Sequence, residues 1–231
     1  MSLSVRQRRI LADMGIPVWR ARSAAPAPVA AEPPAGEPAA VANAGVATLD
    51  WAALEACVRG CDACGELARE RTQTVFGVGD PRARWLFVGE APGAEEDRRG
   101  EPFVGRAGQL LDNMLAALGL DRSRDVFIAN VLKCRPPNNR DPRPEEAVAC
   151  RDFLDRQIAL IRPEVIVALG RVAAQVLLAS EQPLGRMRGT VHHYQGVPLI
   201  ATYHPAYLLR RPADKARAWE DLLRARACLQ R

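Results

Sequence analysis

Arg84-Trp85-Leu86-Phe87-Val88-Gly89-Glu90-Ala91-Pro92-Gly93-Ala94-Glu95-Glu96-Asp97, continuing to Glu101-Pro102-Phe103-Val104-Gly105-Arg106-Ala107-Gly108, is the stretch whose reading decides the fold. Trp85 to Val88 is a short apolar run with the character of a buried strand. Gly89, Pro92 and Gly93 break it, and the loop that follows delivers four acidic side chains, Glu90, Glu95, Glu96 and Asp97. Phe103 then stands in a Gly/Pro-flanked loop, where a purely structural chain more often places a polar residue. Leu110, Leu111, Met114, Leu115 and Leu118 mark a helix after it. Strand, acidic loop, aromatic, helix is the order in which an α/β sheet presents chemistry at the carboxyl end of a strand.

Outward from that stretch the pattern alternates. Trp51, Leu54 and Val58 predict a helix running into the Cys61-Asp62-Ala63-Cys64 turn. Further strands are expected at Val126–Val131, Val165–Leu169 and Pro198–Thr202, with helices over 107–118, from Pro144, over 171–179 and over 213–228. Pro144 at a first helical turn followed by Glu145 and Glu146 suits the positive end of a helix dipole. Four short apolar strands separated by helices predict an α/β fold, a mostly parallel four-stranded sheet with helices on both faces.

The 231 residues allow one good-sized domain and some tail, and a hydrophobic content of 48% allows a real core. Residues 1–22 form a short basic and apolar segment, expected to be a docking peptide for a protein partner. Residues 23–48 are rich in Ala, Pro, Val and Glu without apolar periodicity, the composition of a disordered linker. The folded domain is expected over 49–231.

Net charge is +5, almost all of it arginine, since only Lys133 and Lys215 are lysines. That balance permits a polyanionic partner without requiring one. Arg6, Arg8 and Arg9 precede only a short apolar patch broken by Asp13, which is not a signal peptide, and no apolar run is long enough to span a bilayer. A cytoplasmic protein is expected. Six cysteines in a cytosolic chain point to metal or redox use rather than disulfides.

Two cysteine patterns compete. Cys57, Cys61 and Cys64 spell the C-x3-C-x2-C spacing of the radical S-adenosylmethionine enzymes. The context is wrong, because Cys57 sits in a helical pattern and Ala63 takes the place of the usual aromatic. The other set is Cys61, Cys64, Cys134 and Cys150, in which a tight chelate pairs with one thiol after a strand and one on the apolar side of a helix. Four thiolates suit an iron–sulfur cluster or a structural zinc, and spacing does not separate the two. The remaining unusual residues all follow strands: Glu90 to Asp97 and Phe103 after the first, Asn130 at the end of the second, His204 after the fourth. Ligands in open parallel sheets bind there, so these positions can converge on one pocket.

Gly89-Glu90-Ala91-Pro92-Gly93, Pro102 to Gly108, Ala129-Asn130-Val131-Leu132-Lys133-Cys134-Arg135-Pro136-Pro137-Asn138-Asn139-Arg140, and His204-Pro205-Ala206-Tyr207-Leu208-Leu209-Arg210 closely resemble the family 4 uracil-DNA glycosylases. The similarity covers about residues 50–225, and four long motifs with matching cysteine spacing make it specific. It implies a three-layer α/β/α domain, a [4Fe-4S] cluster on Cys61, Cys64, Cys134 and Cys150, and a monomer acting on uracil in single- or double-stranded DNA. It also implies that Phe103 stacks on the extruded base, that Asn130 reads its Watson–Crick edge and that His204 sits over uracil O2. Glu90 and Glu96 become the catalytic carboxylates, Leu208 (with Leu209 as alternate) the wedge, and Arg210, Arg186 and Arg188 phosphate contacts. The Pro/Asn/Arg loop with Arg135, Arg140 and Arg143 is expected against DNA.

In the best-known branch of that superfamily an aspartate activates water and a tyrosine blocks thymine, within Gly-Gln-Asp-Pro-Tyr. Here Ala91, counted with the substrate-binding residues, falls at the aspartate and Gly93 at the tyrosine. Thymine exclusion therefore falls to Glu96 or the Phe103 loop. A relative that traps itself covalently on the abasic sugar carries a basic loop with a reactive histidine before the final strand. No Arg-Arg-Ile-His loop is present, and His192 and His193 sit in a hairpin setting. A non-catalytic DNA-binding module, binding in a salt-dependent way but blind to uracil, is the alternative of a different class. A zinc-bearing α/β hydrolase is disfavoured because no His/Asp/Glu set has metal spacing.

Overall fold

The computed structural model describes residues 45–229. The expected docking segment, and all but the last four residues of the expected linker, lie outside them. Ordered chain begins sooner than composition suggests: Val46–Thr48 forms a 3-10 turn, and Val46 is buried against the core.

Nine α-helices and six strands are formed among the described residues. The helices are α1 Trp51–Arg59, α2 Gly65–Glu70, α3 Ala94–Arg99, α4 Arg106–Ala117, α5 Pro144–Ile161, α6 Arg171–Leu178, α7 Leu184–Met187, α8 Pro205–Arg210 and α9 Lys215–Cys228. The strands are β1 Val78–Gly79, β2 Trp85–Gly89, β3 Val126–Asn130, β4 Val165–Leu169, β5 Val191–Tyr194 and β6 Val197–Thr202. They form one sheet in the order β1-β3-β2-β4-β6-β5.

The four inner strands are parallel and are those expected from sequence. The sheet nevertheless has six strands rather than four, because β1 and β5 add antiparallel edges. Neither edge carries an apolar run: β1 is two residues long, and β5 reads Val-His-His-Tyr. Gln195 and Gly196, at φ 49° and 83°, make the primed two-residue turn that joins β5 to β6 with the twist a hairpin needs.

Alternate residues of the inner strands feed two cores. Leu86, Val88, Phe127, Ala129, Ile166 and Ala168 pack on one face with Leu54 of α1, Phe153 of α5 and Leu177 of α6. Phe87, Ile128, Val167 and Ile200 pack on the other with Leu111 of α4 and Leu222 of α9. Every residue of β2, β3 and β4 is buried, each large side chain contributing about 1.5–3 kcal/mol of transfer free energy. Because β2 pairs with β3 on one side and β4 on the other, the chain leaves β2 and β4 in opposite directions. That switch opens a crevice at their carboxyl ends. No helix among the described residues is long and apolar enough to cross a membrane.

Candidate active site

The crevice is a cavity of about 500 Å³ lined by Glu90, Ala91, Pro92, Gly93, Glu96, Phe103, Asn130, Arg140, His204, Tyr207 and Arg210, among others. Residues from the ends of β2, β3 and β6 thus meet in one space.

Asn130 is the last residue of β3, paired with Gly89. It is 2% exposed, and its Oδ1 is buried without a hydrogen-bond partner among the described residues. An orphaned buried acceptor costs about 1–3 kcal/mol, which is tolerated where a ligand supplies the partner. The backbone beneath it is fixed: Lys133 Nζ donates to the Asn130 carbonyl at 2.9 Å and to Gln157 Oε1 at 2.7 Å. Gln157 Nε2 in turn donates to the Phe76 carbonyl at 2.9 Å. Lys133 is fully buried, and desolvation pulls its ammonium down to about 8. Gly89 must lack a side chain, since a Cβ there would lie 2.4 Å from Asn130 Oδ1 and 2.8 Å from the Phe103 ring.

Phe103 adopts φ 55°, uncommon for an aromatic residue, and is 6% exposed. Arg122 holds the strained turn, donating from Nη1 to the Pro102 carbonyl at 2.9 Å and from Nη2 to the Phe103 carbonyl at 2.8 Å. Arg122 is itself anchored on Asp112, its Nε 2.9 Å from Oδ1. The Val104 N–H donates to Glu96 Oε1 at 3.2 Å. Gly108 makes room, because a Cβ there would fall 1.7 Å from the Phe103 carbonyl oxygen. The Phe103 and His204 rings stack at 5.4 Å with 29° between their planes.

His204 caps α8: its Nδ1 accepts from the Ala206 N–H at 3.1 Å, and Pro205 follows at the first turn. With Nδ1 accepting, the proton of the neutral ring sits on Nε2, which is left as a donor. Burial, with the nearby Arg210 cation adding to it, pulls the imidazole down to about 4, so it is neutral at physiological pH. Gly170, at φ 97°, lies under the ring, where a Cβ would come within 3.0 Å of His204 Cβ.

The acidic loop divides its work. Burial, reinforced by Asp141 and opposed by Arg171, pushes the Glu90 carboxyl up to about 7. Glu96 ties the Phe103 loop to the start of α3, a Cβ on Gly93 falling 2.7 Å from its Oε2. Asp97 is buried and accepts from the Thr72 N–H at 3.0 Å with both oxygens, a structural anchor.

Several DNA-facing expectations need correction. Leu208 is 1% exposed, on the inward side of α8, and cannot be a wedge; Leu209, one residue on, is 37% exposed. Arg188 is not free for phosphate: its Nε lies 2.6 Å from Asp221 Oδ2, with both side chains largely buried. Arg186 and Arg210 are exposed, and Arg210 borders the cavity. In the Pro/Asn/Arg loop, Arg140 forks onto Glu146 at 2.6 and 2.9 Å, and Arg143 pairs with Glu66 at 2.6 Å. Both guanidiniums serve the fold first.

Cys61, Cys64, Cys134 and Cys150 are brought near one another, all as free thiols. Burial first, and then Cys134 and Cys61, push the Cys64 thiol up to about 11; burial above all, with Cys134 and Cys64 adding to it, pushes Cys150 up to about 12. Arg71 Nη1 donates to Cys134 Sγ at 2.8 Å and its Nη2 to the Cys61 carbonyl at 2.6 Å, a contact that favours a thiolate. Among the described residues no three His, Cys, Asp or Glu side chains stand close enough to hold a single metal ion. The four cysteines make an all-sulfur donor set, which suits a structural zinc or an iron–sulfur group.

Sequence reasoning assigned no role to Lys133, Arg122 or Gly170. Lys133 carried a signal, being one of two lysines in the chain and embedded in an apolar strand end. Arg122 carried none, since nothing local distinguishes it from the other arginines.

Residues 76–223 match the family model described as the uracil DNA glycosylase superfamily. A type-4 uracil-DNA glycosylase of Archaeoglobus fulgidus is 51% identical over 163 residues, 67% of this chain and 81% of that protein. One from Thermotoga maritima is 45% identical over 178 residues, 75% of this chain and 92% of its own length. A type-5 uracil-DNA glycosylase of Thermus thermophilus is 38% identical over 154 residues, 56% and 68% of the two chains.

Proposed function

The chain belongs to the uracil DNA glycosylase superfamily and, within it, to the type-4 uracil-DNA glycosylases, and from that premise we propose how its residues carry out the reaction. The reaction is excision of uracil from DNA in base excision repair: water cleaves the N-glycosidic bond, releasing uracil and leaving an abasic site. The base is unreachable inside a duplex, so its nucleotide is extruded at a cost of about a few kcal/mol.

Phe103 stacks on the extruded uracil. The unpartnered Asn130 Oδ1 accepts from N3–H while the amide nitrogen donates to O4. Cytosine presents the reverse pattern and would leave buried groups mismatched. The His204 Nε2–H donates to O2, and that hydrogen bond strengthens as the glycosidic bond lengthens and negative charge moves onto the base. The neutral ring donates from Nε2 while its Nδ1 goes on accepting from the Ala206 N–H. The Glu90 carboxylate favours the positive charge that develops on the sugar and orients the water that adds to C1′. Glu96 positions the Phe103 loop, and with that loop closes the cavity against thymine; Ala91 contributes only a small wall. Leu209 fills the gap left in the stack, and Arg210 and Arg186 meet phosphates.

Cys61, Cys64, Cys134 and Cys150 would hold a [4Fe-4S] cluster. When bound it supplies four iron–thiolate bonds that tie the segment before β2 to the segment after β3. A brown, broadly absorbing protein is expected; a colourless, zinc-loaded one would refute the cluster. Cysteines outside any disulfide suit a reducing compartment, and the protein is proposed to be cytoplasmic and to act as a monomer. Residues 1–22 are proposed to dock a protein partner.

The observation that carries the reading is the buried, unpartnered Asn130 Oδ1 in a cavity that also holds Phe103 and His204. Oligonucleotides with U, T, C or hypoxanthine at one position, single- and double-stranded, are incubated with the protein and treated with alkali. Scission at U is expected in both forms and none at T or C. Intact U-containing strands after incubation with folded, cluster-loaded protein would overturn the reading.

A further inference from the structure

We infer that Tyr207 is an aromatic step at the mouth of the cavity, on which the nucleobase adjoining the extruded uracil stacks. The inference rests on the uracil-excision reading and extends it to the neighbouring nucleotide. The Tyr203 and Tyr207 rings lie 5.0 Å apart with 18° between their planes. The guanidinium carbon of Arg188 lies 4.2 Å from the centre of the Tyr203 ring. Arg188 is fixed by Asp221 at 2.6 Å and by the Arg217 carbonyl at 2.7 Å. Tyr207 is fixed at its far end too, its Oη donating to Asp214 Oδ2 at 2.8 Å.

The result is a guanidinium and two rings in series, anchored at the buried end and terminating in a ring that lines the cavity. Both tyrosines are only half-buried, so the assembly is not core packing. Tyr207 lies between the His204 cap and the exposed Leu209 and Arg210 on the same short helix. Strand backbone held by Arg210 therefore passes beside it. Extrusion strips each neighbouring base of one stacking partner, and a ring whose rotamer is already locked replaces that partner without an ordering cost. Every base has a π-face, so the step accepts any neighbour.

The test uses the full chain and single-stranded oligonucleotides carrying 2′-fluoro-2′-deoxyuridine, whose fluorine withdraws electrons from the sugar and slows bond breaking. One probe has 2-aminopurine on the 5′ side of the uridine, another on the 3′ side. Binding is expected to quench one of the two. Tyr207→Ala should abolish that quench and raise Kd about tenfold, a value within the range of base–aromatic stacking. Tyr207→Phe, which keeps the ring, should restore the quench and bring Kd back to within about twofold. Undiminished quenching or unchanged Kd in Tyr207→Ala overturns the step, as does a Phe variant that fails to rescue. Cleavage of the unfluorinated strand by the unmodified protein is measured alongside. Absent cleavage with the quench intact overturns the excision reading and leaves the step standing.

Discussion

Burial holds the His204 imidazole at about 4, while its Nδ1 is occupied by a backbone N–H, and between them these facts fix a neutral ring with its proton on Nε2. Activity should therefore show no histidine limb between pH 5 and 8. The limb expected there belongs to Glu90, whose carboxyl ionises near 7: single-turnover rate should rise about tenfold from pH 6 to 8, and Glu90→Gln should flatten the profile at the low level. A flat profile in the unmodified protein would remove Glu90 from the mechanism. Stability moves the other way. The folded-state pKa of Glu90 lies above its unfolded value near 4.5, so between about 4.5 and 7 the folded state binds more protons, and stability falls as pH rises through that window. Screened by partial exposure, the effect at pH 8 is about 1 kcal/mol, and Glu90→Gln should raise Tm there by about 2–4 °C in a thermal melt. For His204 the folded value lies below 6.5, so its contribution is present above 6.5 and is lost as pH falls toward 4. Asn130, Phe103 and His204 were all legible as unusual residues after strands. Leu208 was not separable from Leu209, because adjacent leucines differ only in helix phase, and phase is set by what α8 packs against.

The Phe103 loop shows how a short element holds strain that its own sequence does not reveal. Its left-handed aromatic is kept in place by Arg122, across from it on the chain after α4, and by the missing side chain of Gly108. Arg122→Ala should leave the fold intact by circular dichroism yet raise KM at least tenfold, as the stacking ring loses its fixed position. Gly108→Ala puts a methyl into a backbone carbonyl that no rotamer change relieves, and should lower Tm by at least about 5 °C. An Arg122→Ala protein with unchanged KM would show that the loop holds itself. The inner strands could be read directly, since burial on both faces makes them continuous apolar runs. The edges could not: two residues of β1 and a histidine pair in β5 are defined by pairing partners rather than by their own pattern.

At the scale of the whole molecule, the charge total misleads. Net charge is +5, yet Arg84, Arg122, Arg140, Arg143, Arg171 and Arg188 are all committed to carboxylates, while Arg186 and Arg210 form no ion pair among the described residues. With Arg186 and Arg210 as the proposed phosphate contacts, DNA affinity should depend weakly on salt. Two phosphate contacts give a slope of log K against log salt of about −1.4 to −1.8, and Arg186→Ala and Arg210→Ala should each flatten it by about 0.7–0.9. A slope near −5 in a fluorescence titration would show that cations other than Arg186 and Arg210 meet the strand. Composition could bound the partner class but could not say which cations were spoken for, because ion pairing joins residues such as Arg188 and Asp221 that lie far apart in the chain.

The bare backbone of Gly89 carries a practical corollary. With Asn130 Oδ1 2.4 Å and the Phe103 ring 2.8 Å from where a methyl would stand, Gly89→Ala plugs the chamber from within while touching no surface atom. Such a protein would keep its cations, its thiols and its outer contour, and would still settle on a strand. It would scan DNA as a decoy, unable to admit the lesion it was shaped to find.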